Sequence, residues 1–201
     1  MADPSGAVSL DALTARAASC QACDLYRAAT QVVFGEGPTP AALMLMGEQP
    51  GDREDLEGAP FVGPAGGVLD RALEAAGQPR EQVYVTNVVK HFKWTRAGKV
   101  RLHKKPNVAE IRACRTWWEA ELAIVQPRIL CCLGATAAQA VFGRQFRVTR
   151  DGGKVLGIRD GLRGVATIHP SAVLRADAAD RDQAFEGLVR ELAVAVEAAA
   201  T

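Results

Sequence analysis

Four short apolar runs, each closed by a glycine or a polar turn, constrain this chain more than any other feature. They are residues 41–46 before Gly47, residues 83–89, residues 128–133 before Gly134, and residues 165–168 before His169 and Pro170. The first is continuously apolar, as a strand is when both faces of a sheet are covered, and the second is rich in β-branched residues, which also signals a strand. Helical spacing fills the gaps at residues 8–18, 66–76 (with Gly77 beyond), 107–125 (between Pro106 and Pro127), 135–142 and 180–200. This alternation predicts an α/β fold: three layers, α/β/α, around a central four-stranded parallel sheet. One domain over residues 1–201 is expected, with residues 1–7 disordered. Open sheets of this kind bind ligands beyond the carboxyl ends of their strands. Polar residues gather at those ends: Glu48 and Gln49 after the first run, Asn87 within the second, and His169 and Ser171 after the fourth.

Composition narrows the class of function. The 201 residues are 48% apolar and 23% charged, which suits a chain that buries a core without staples. No apolar run approaches the roughly 18 residues of a membrane span. Residues 1–6 lack the basic start and apolar core of an export signal, so a cytoplasmic protein with no membrane partner is expected, and nothing points beyond a monomer. Net charge is +1, yet residues 90–105 carry seven cations and no acid, leaving about −6 for the rest. Most charge runs are only solvated loops. Here Lys99, Arg101, Lys104 and Lys105, interleaved with Phe92, Trp94 and two histidines, fit a nucleic-acid strand better.

Individual residues suggest chemistry. The Gly47-to-Gly51 loop lacks the Lys-Ser/Thr of a phosphate-binding loop, but Glu48 within it is placed for general-base or orienting work. Cys20 and Cys23 have the spacing of a metal-ligand pair, Cys114 is a candidate third ligand at the opening of a helix, and His91 is a candidate fourth. Sulfur-rich sites take zinc or an iron–sulfur cluster, and spacing leaves that choice open. Cys131 and Cys132 are neighbours on a strand and read as core. His103 lies among Lys99, Arg101, Lys104 and Lys105, whose like charges bias it toward neutral imidazole, the nucleophilic form.

Gly47-Glu-Gln-Pro-Gly51, then Glu54-Asp55, then Gly58-Ala-Pro-Phe61-Val-Gly-Pro-Ala-Gly66 together resemble the uracil-DNA glycosylase superfamily, family 4 branch. Val85-Thr-Asn87-Val-Val-Lys90 and His169-Pro-Ser171 match its later motifs in order, and Cys20, Cys23 and Cys114 match three of its four cluster cysteines. Two departures, His91 in place of the fourth cysteine and a longer segment bearing Lys99-Val-Arg-Leu-His103, are similar to the self-crosslinking UdgX group. Val100 and Leu102 stand where that group has arginine and isoleucine. The resemblance implies excision of uracil from DNA and a [4Fe–4S] cluster on Cys20, Cys23, His91 and Cys114. It also implies Phe61 stacked on uracil with Gln49 and Asn87 at its edges, His169 at uracil O2, Ser171 at the DNA, and His103 joined to the sugar C1′ with Glu48 assisting. Two other readings stay open: a family 4-like enzyme in which water attacks, and a binding module with a metal site.

Overall fold

The seven strands of the computed structural model, which describes residues 4, 6, 9–159 and 161–201, form two separate sheets. In the larger sheet β1 (Leu43–Gly47), β2 (Tyr84–Asn87), β5 (Ile129–Leu133) and β7 (Leu162–Thr167) run parallel in the order β2-β1-β5-β7. These are the four expected strands. A fifth, β6 (Leu156–Arg159), joins antiparallel at the β7 edge, so the sheet is mixed and not purely parallel. Its sequence hid it, because an edge strand with a glycine and alternate half-exposed residues carries little apolar signal.

Successive side chains leave a strand on opposite faces, and both faces here are dry. Leu43, Leu45, Val83, Val85, Ile129, Cys131 and Leu133 pack with Leu69 and Leu73 of α3 (Pro64–Ala75) and Leu188 and Leu192 of α8 (Arg181–Ala200). Met44, Met46, Tyr84, Leu130 and Cys132 pack with Trp118 and Leu122 of α4 (Val108–Val125) and with Ala137 and Ala138 of α5 (Ala135–Phe142). Cys131 and Cys132 are thus core residues on opposite faces, as their adjacency requires. A satellite core joins Leu13 and Ala17 of α1 (Leu10–Ala17) to Cys20, Phe34 and Trp117. The expected disorder of residues 1–7 falls largely outside the described residues, as does Val8 at the expected start of the first helix. Among the described residues no helix is long and apolar enough to cross a membrane.

The basic segment is not a loop. β3 (Trp94–Ala97) and β4 (Val100–His103) form an antiparallel ribbon with Trp94 opposite His103 and Ala97 opposite Val100. Gly98 takes a φ of +61° in the two-residue turn between them, a conformation glycine adopts without steric cost. The ribbon pairs with no strand of the main sheet. Cys114, expected at the opening of a helix, lies in the second turn of α4, whose first turn is fixed by a reciprocal cap between Asn107 and Glu110.

Candidate active site

The carboxyl ends of β1, β2, β5 and β7 deliver their following residues to one cleft of about 660 Å³. Its walls include Glu48, Phe61, Asn87, His103, Thr136 and His169. Each comes from a different segment: the parallel strand order brings Glu48, Asn87, Thr136 and His169 together, while Phe61 comes from the segment before α3 and His103 from the ribbon.

The floor is built for a flat ring. Asn87 is buried at the end of β2, and its Oδ1 has no hydrogen-bond partner. A buried orphan acceptor is costly, which marks a place where a ligand N–H completes the structure. Phe61 stacks with His169 at 5.9 Å between ring centres. Phe61 holds a φ of +57°, an uncommon backbone state for a bulky residue. Two glycines make room for it: a Cβ on Gly66 would meet the Phe61 carbonyl at 1.7 Å, and one on Gly47 would meet Asn87 Oδ1 at 2.4 Å and the Phe61 ring at 2.7 Å.

Behind Asn87 lies a buried polar network. The Lys90 ammonium donates to Glu121 at 2.5 Å, to Thr86 Oγ1 at 2.5 Å and to the Asn87 carbonyl at 2.9 Å. Glu121 also accepts from the Tyr84 hydroxyl, the Thr86 hydroxyl and the Gly35 amide. Burial, then the Glu121 charge, pushes the Tyr84 phenol far above its usual range, so it remains a donor. The network fixes the backbone that aims Asn87. Buried Glu54 plays a similar part in front, accepting from the Gly51 and Gly63 amides and so tying the Phe61 loop to α2 (Asp52–Glu57).

Two imidazoles also line the cleft. His169 caps α7 (Pro170–Arg175), its Nδ1 accepting the Ser171 amide at 3.1 Å, with Ser171 Oγ 2.8 Å away. A neutral ring that accepts at Nδ1 carries its proton on Nε2, where it can be donated. Burial, the Arg175 charge and His103 together push the His169 pKa down to about 4. Arg175 reaches Ser171 Oγ at 2.9 Å. Ser171, expected to meet DNA, thus has its hydroxyl engaged between His169 and Arg175.

His103 ends β4 with its side chain 49% exposed, and its Nε2 lies 3.5 Å from Glu48 Oε1. Its pKa is lowered chiefly by burial, with Glu48 opposing and Arg175 assisting. The expected direction is right, but the cause is not the four loop cations. Glu48 Oε2 accepts from the buried Thr136 hydroxyl at the start of α5.

Several sequence expectations shift. Gln49 lines the cleft, but its amide is spent on the ribbon: Nε2 donates to the Lys93 and Lys104 carbonyls and Oε1 accepts the Lys93 amide. It clamps the ribbon base, with both Nε2 hydrogens engaged there and one lone pair of Oε1 left over. Arg101 does not face outward to phosphates. It pairs with Asp52 at 2.5 Å and with fully buried Asp55 at 2.6 Å, and it sits over the Phe92 and Trp94 rings. Trp94 donates its indole N–H to the Ala28 carbonyl, and Phe92 is buried, so neither is a free stacking platform. Lys99, Lys104 and Lys105 remain exposed, with Lys105 at the cleft.

The expected metal ligands are partly assembled. The Cys114 thiol donates toward Cys23, which lowers Cys23 to about 7, while that bond and then burial raise Cys114. Cys114 also borders the Lys90 main chain, next to His91, which is buried with an unpartnered Nδ1 and whose pKa burial lowers. Cys20 Sγ accepts the Trp117 indole N–H at 3.2 Å, one turn of α4 beyond Cys114. Among the described residues no three His, Cys, Asp or Glu close around a single ion. A cluster holds its ligands farther apart than one ion does, and three soft sulfurs with an orphaned buried imidazole fit that donor chemistry.

A family model for the uracil DNA glycosylase superfamily matches residues 34–193. The chain belongs to this superfamily. Its curated relatives include a type-4 uracil-DNA glycosylase of Archaeoglobus fulgidus, 34% identical over 180 residues, and one of Thermotoga maritima, 35% identical over 167; in both cases 83% of each chain is covered. The superfamily match spans all four strand ends that form the cleft, and the ribbon with His103 lies inside it. Sequence reasoning named Lys90 only as a motif residue and a cation, not as a buried partner, and it missed Glu121, Thr136, Asp52 and Arg175. None sits in a spacing pattern that signals its role, and only the fold brings their partners near.

Proposed function

We propose that this chain removes uracil from DNA, and that His103 then takes the sugar. The carrying observation is that His103 faces Glu48 at 3.5 Å inside the cleft that also holds the orphaned Asn87 oxygen and the Phe61 ring. A uracil turned out of the base stack enters this cleft. Phe61 stacks on it. Asn87 Oδ1 accepts the N3–H and its NH₂ donates to O4, a pairing that cytosine breaks at both points. His169 Nε2–H donates to O2.

Breaking the C1′–N1 bond leaves its electron pair on uracil and positive charge on the sugar, as in glycoside cleavage. The His169 donor stabilises the departing anion, and the Glu48 carboxylate faces the sugar. One His103 ring nitrogen forms the bond to C1′, and the proton on the other passes to Glu48. The neutral His103 favoured by its surroundings is the form that attacks. Lys99, Lys104 and Lys105 hold the strand through its phosphates. Cys20, Cys23, His91 and Cys114 would hold a [4Fe–4S] cluster, which when bound ties the N-terminal segment, the end of β2 and α4 together and takes no part in the bond exchange.

The second reading, in which water attacks C1′ and the enzyme releases an abasic site, is favoured by the relatives, which are named type-4 uracil-DNA glycosylases. One experiment separates them. Protein is mixed with a single-uracil oligonucleotide, boiled in detergent and run on a denaturing gel beside His103→Ala. A boiling-resistant band that vanishes in the variant supports the histidine. Free uracil with an alkali-cleavable strand and no band supports water. Neither product refutes both.

A further inference from the structure

Thr136 belongs to none of the recognition motifs, yet it holds one of the two oxygens of Glu48. It stands in the first turn of α5, 5% exposed, and its hydroxyl donates to Glu48 Oε2. The other oxygen, Oε1, faces His103 Nε2 at 3.5 Å. The carboxylate is therefore fixed at two corners, with Oε2 turned into the buried wall and Oε1 toward the ribbon. An ionised carboxylate on a free side chain would instead rotate and offer both oxygens to solvent.

We propose that Thr136 is a positioning residue that decides which nucleophile Glu48 serves. This rests on the reading that His103 attacks C1′. With Oε2 occupied by Thr136, the outward oxygen serves the imidazole: the N–C1′ bond forms, the C1′–N1 bond breaks, the ring proton goes to Glu48 and uracil leaves with the electron pair. Without the hydroxyl, Oε2 is released and the carboxylate swings. It can then accept a proton from water, whose oxygen bonds to C1′ while the same C1′–N1 bond breaks. The products are an abasic site and free uracil, with the enzyme released. Thr136 thus favours covalent capture over hydrolysis, and it does so without touching the substrate. Nothing else in the described hydrogen bonds holds Oε2 in place.

The test measures two products in the same tube: uracil released and protein–DNA adduct retained on a denaturing gel. Thr136→Val keeps the side-chain shape and removes the hydroxyl; Thr136→Ser restores it. The expected result for Thr136→Val is adduct formation slowed roughly tenfold or more, with uracil release slowed less and the balance appearing as alkali-cleavable strand. Thr136→Ser returns the ratio of adduct to uracil to the wild-type value. A structural defect alone would lower both products together and leave that ratio unchanged, and this outcome overturns the assignment. Thr136→Ala and thermal melts of all three variants accompany the assay. If Thr136→Val fails to fold, an unchanged ratio in Thr136→Ala overturns the assignment as well. A wild-type enzyme that releases uracil but forms no adduct refutes the attack by His103 itself, whereas an adduct insensitive to both hydroxyl-free variants refutes only the role of Thr136.

Discussion

Replacing Glu121 by glutamine should be among the most damaging conservative changes in the molecule. The Lys90 and Glu121 side chains are 2% and 0% exposed, and their charges meet at 2.5 Å. Glutamine keeps the volume but carries one oxygen. If that oxygen faces Tyr84, Thr86 and Gly35, its NH₂ points at the Lys90 ammonium; if it turns to Lys90, the NH₂ faces those donors instead. Either way a buried cation or a set of buried donors is left unmatched. Removing one partner of a buried pair costs about 3–5 kcal/mol. At 2–4 °C per kcal/mol for a chain of this size, Tm falls by roughly 6–20 °C. Lys90→Met breaks the same pair and sits at the lower end of that range, about 3 kcal/mol, because the carboxylate keeps its three other donors. The double variant, which has no buried cation, should be more stable than Glu121→Gln alone, a non-additive result expected of touching groups. Circular dichroism melts and urea titrations of the four proteins measure this, and uracil release by Lys90→Met reports whether the Asn87 backbone has loosened. Glu121→Gln no more harmful than Lys90→Met, or strict additivity, would show that the pair is not the balanced buried unit described.

Further predictions follow from the cleft and its surroundings. The His169 pKa lies at about 4 against about 6.5 unfolded, so the unfolded chain takes up that proton first as pH falls. Stability fully present above pH 6.5 is therefore lost down to about pH 4, by about 3 kcal/mol; urea midpoints of His169→Gln should fall less steeply over that window, and parallel curves contradict the assignment. Lys99→Gln and Lys105→Gln should each reduce the slope of log affinity against log salt by about 0.7–0.9 on a uracil-free strand. Arg101→Gln should leave that slope unchanged while lowering Tm, because its charge is already spent on Asp52 and Asp55; a slope change would return Arg101 to the DNA. Cys114→Ser and His91→Ala should each lower iron and inorganic sulfide per chain relative to wild type, and a wild-type chain carrying zinc alone would rule out the cluster.

Much of the frame was legible in the sequence because burial on both faces writes itself as continuous apolar runs. Residues 128–133 and 135–142 announced β5 and α5 almost to the residue. The site was legible where a polar residue closely follows a strand: Glu48 comes directly after β1, and His169 two residues after β7. Legibility failed where charge masked shape. Trp94–Ala97 and Val100–His103 flank the Gly98 turn as a ribbon does, but the seven cations of residues 90–105 drew the reading to a basic loop suited to a nucleic-acid strand. It failed again where one charged residue answers another far away. Lys90 and Glu121 lie 31 positions apart, and Arg101 and Asp55 lie 46 apart. No local pattern reveals that Arg101 turns inward, or that Gln49 spends its amide on the ribbon. Those facts belong to packing.

The ribbon shares no strand pairing with the main sheet and is fastened by side chains: Gln49 at its base, Arg101 across α2, Trp94 to the Ala28 carbonyl. Asn87 and His169, which the proposal sets against the base, sit at strand ends of the sheet, while His103 rides on the attachment. If His103 attacks as proposed, a change confined to this appendage changes the attacking group while Asn87 and His169 keep their places at the strand ends. On that proposal, recognition and reactivity rest on two separately built parts of one small domain.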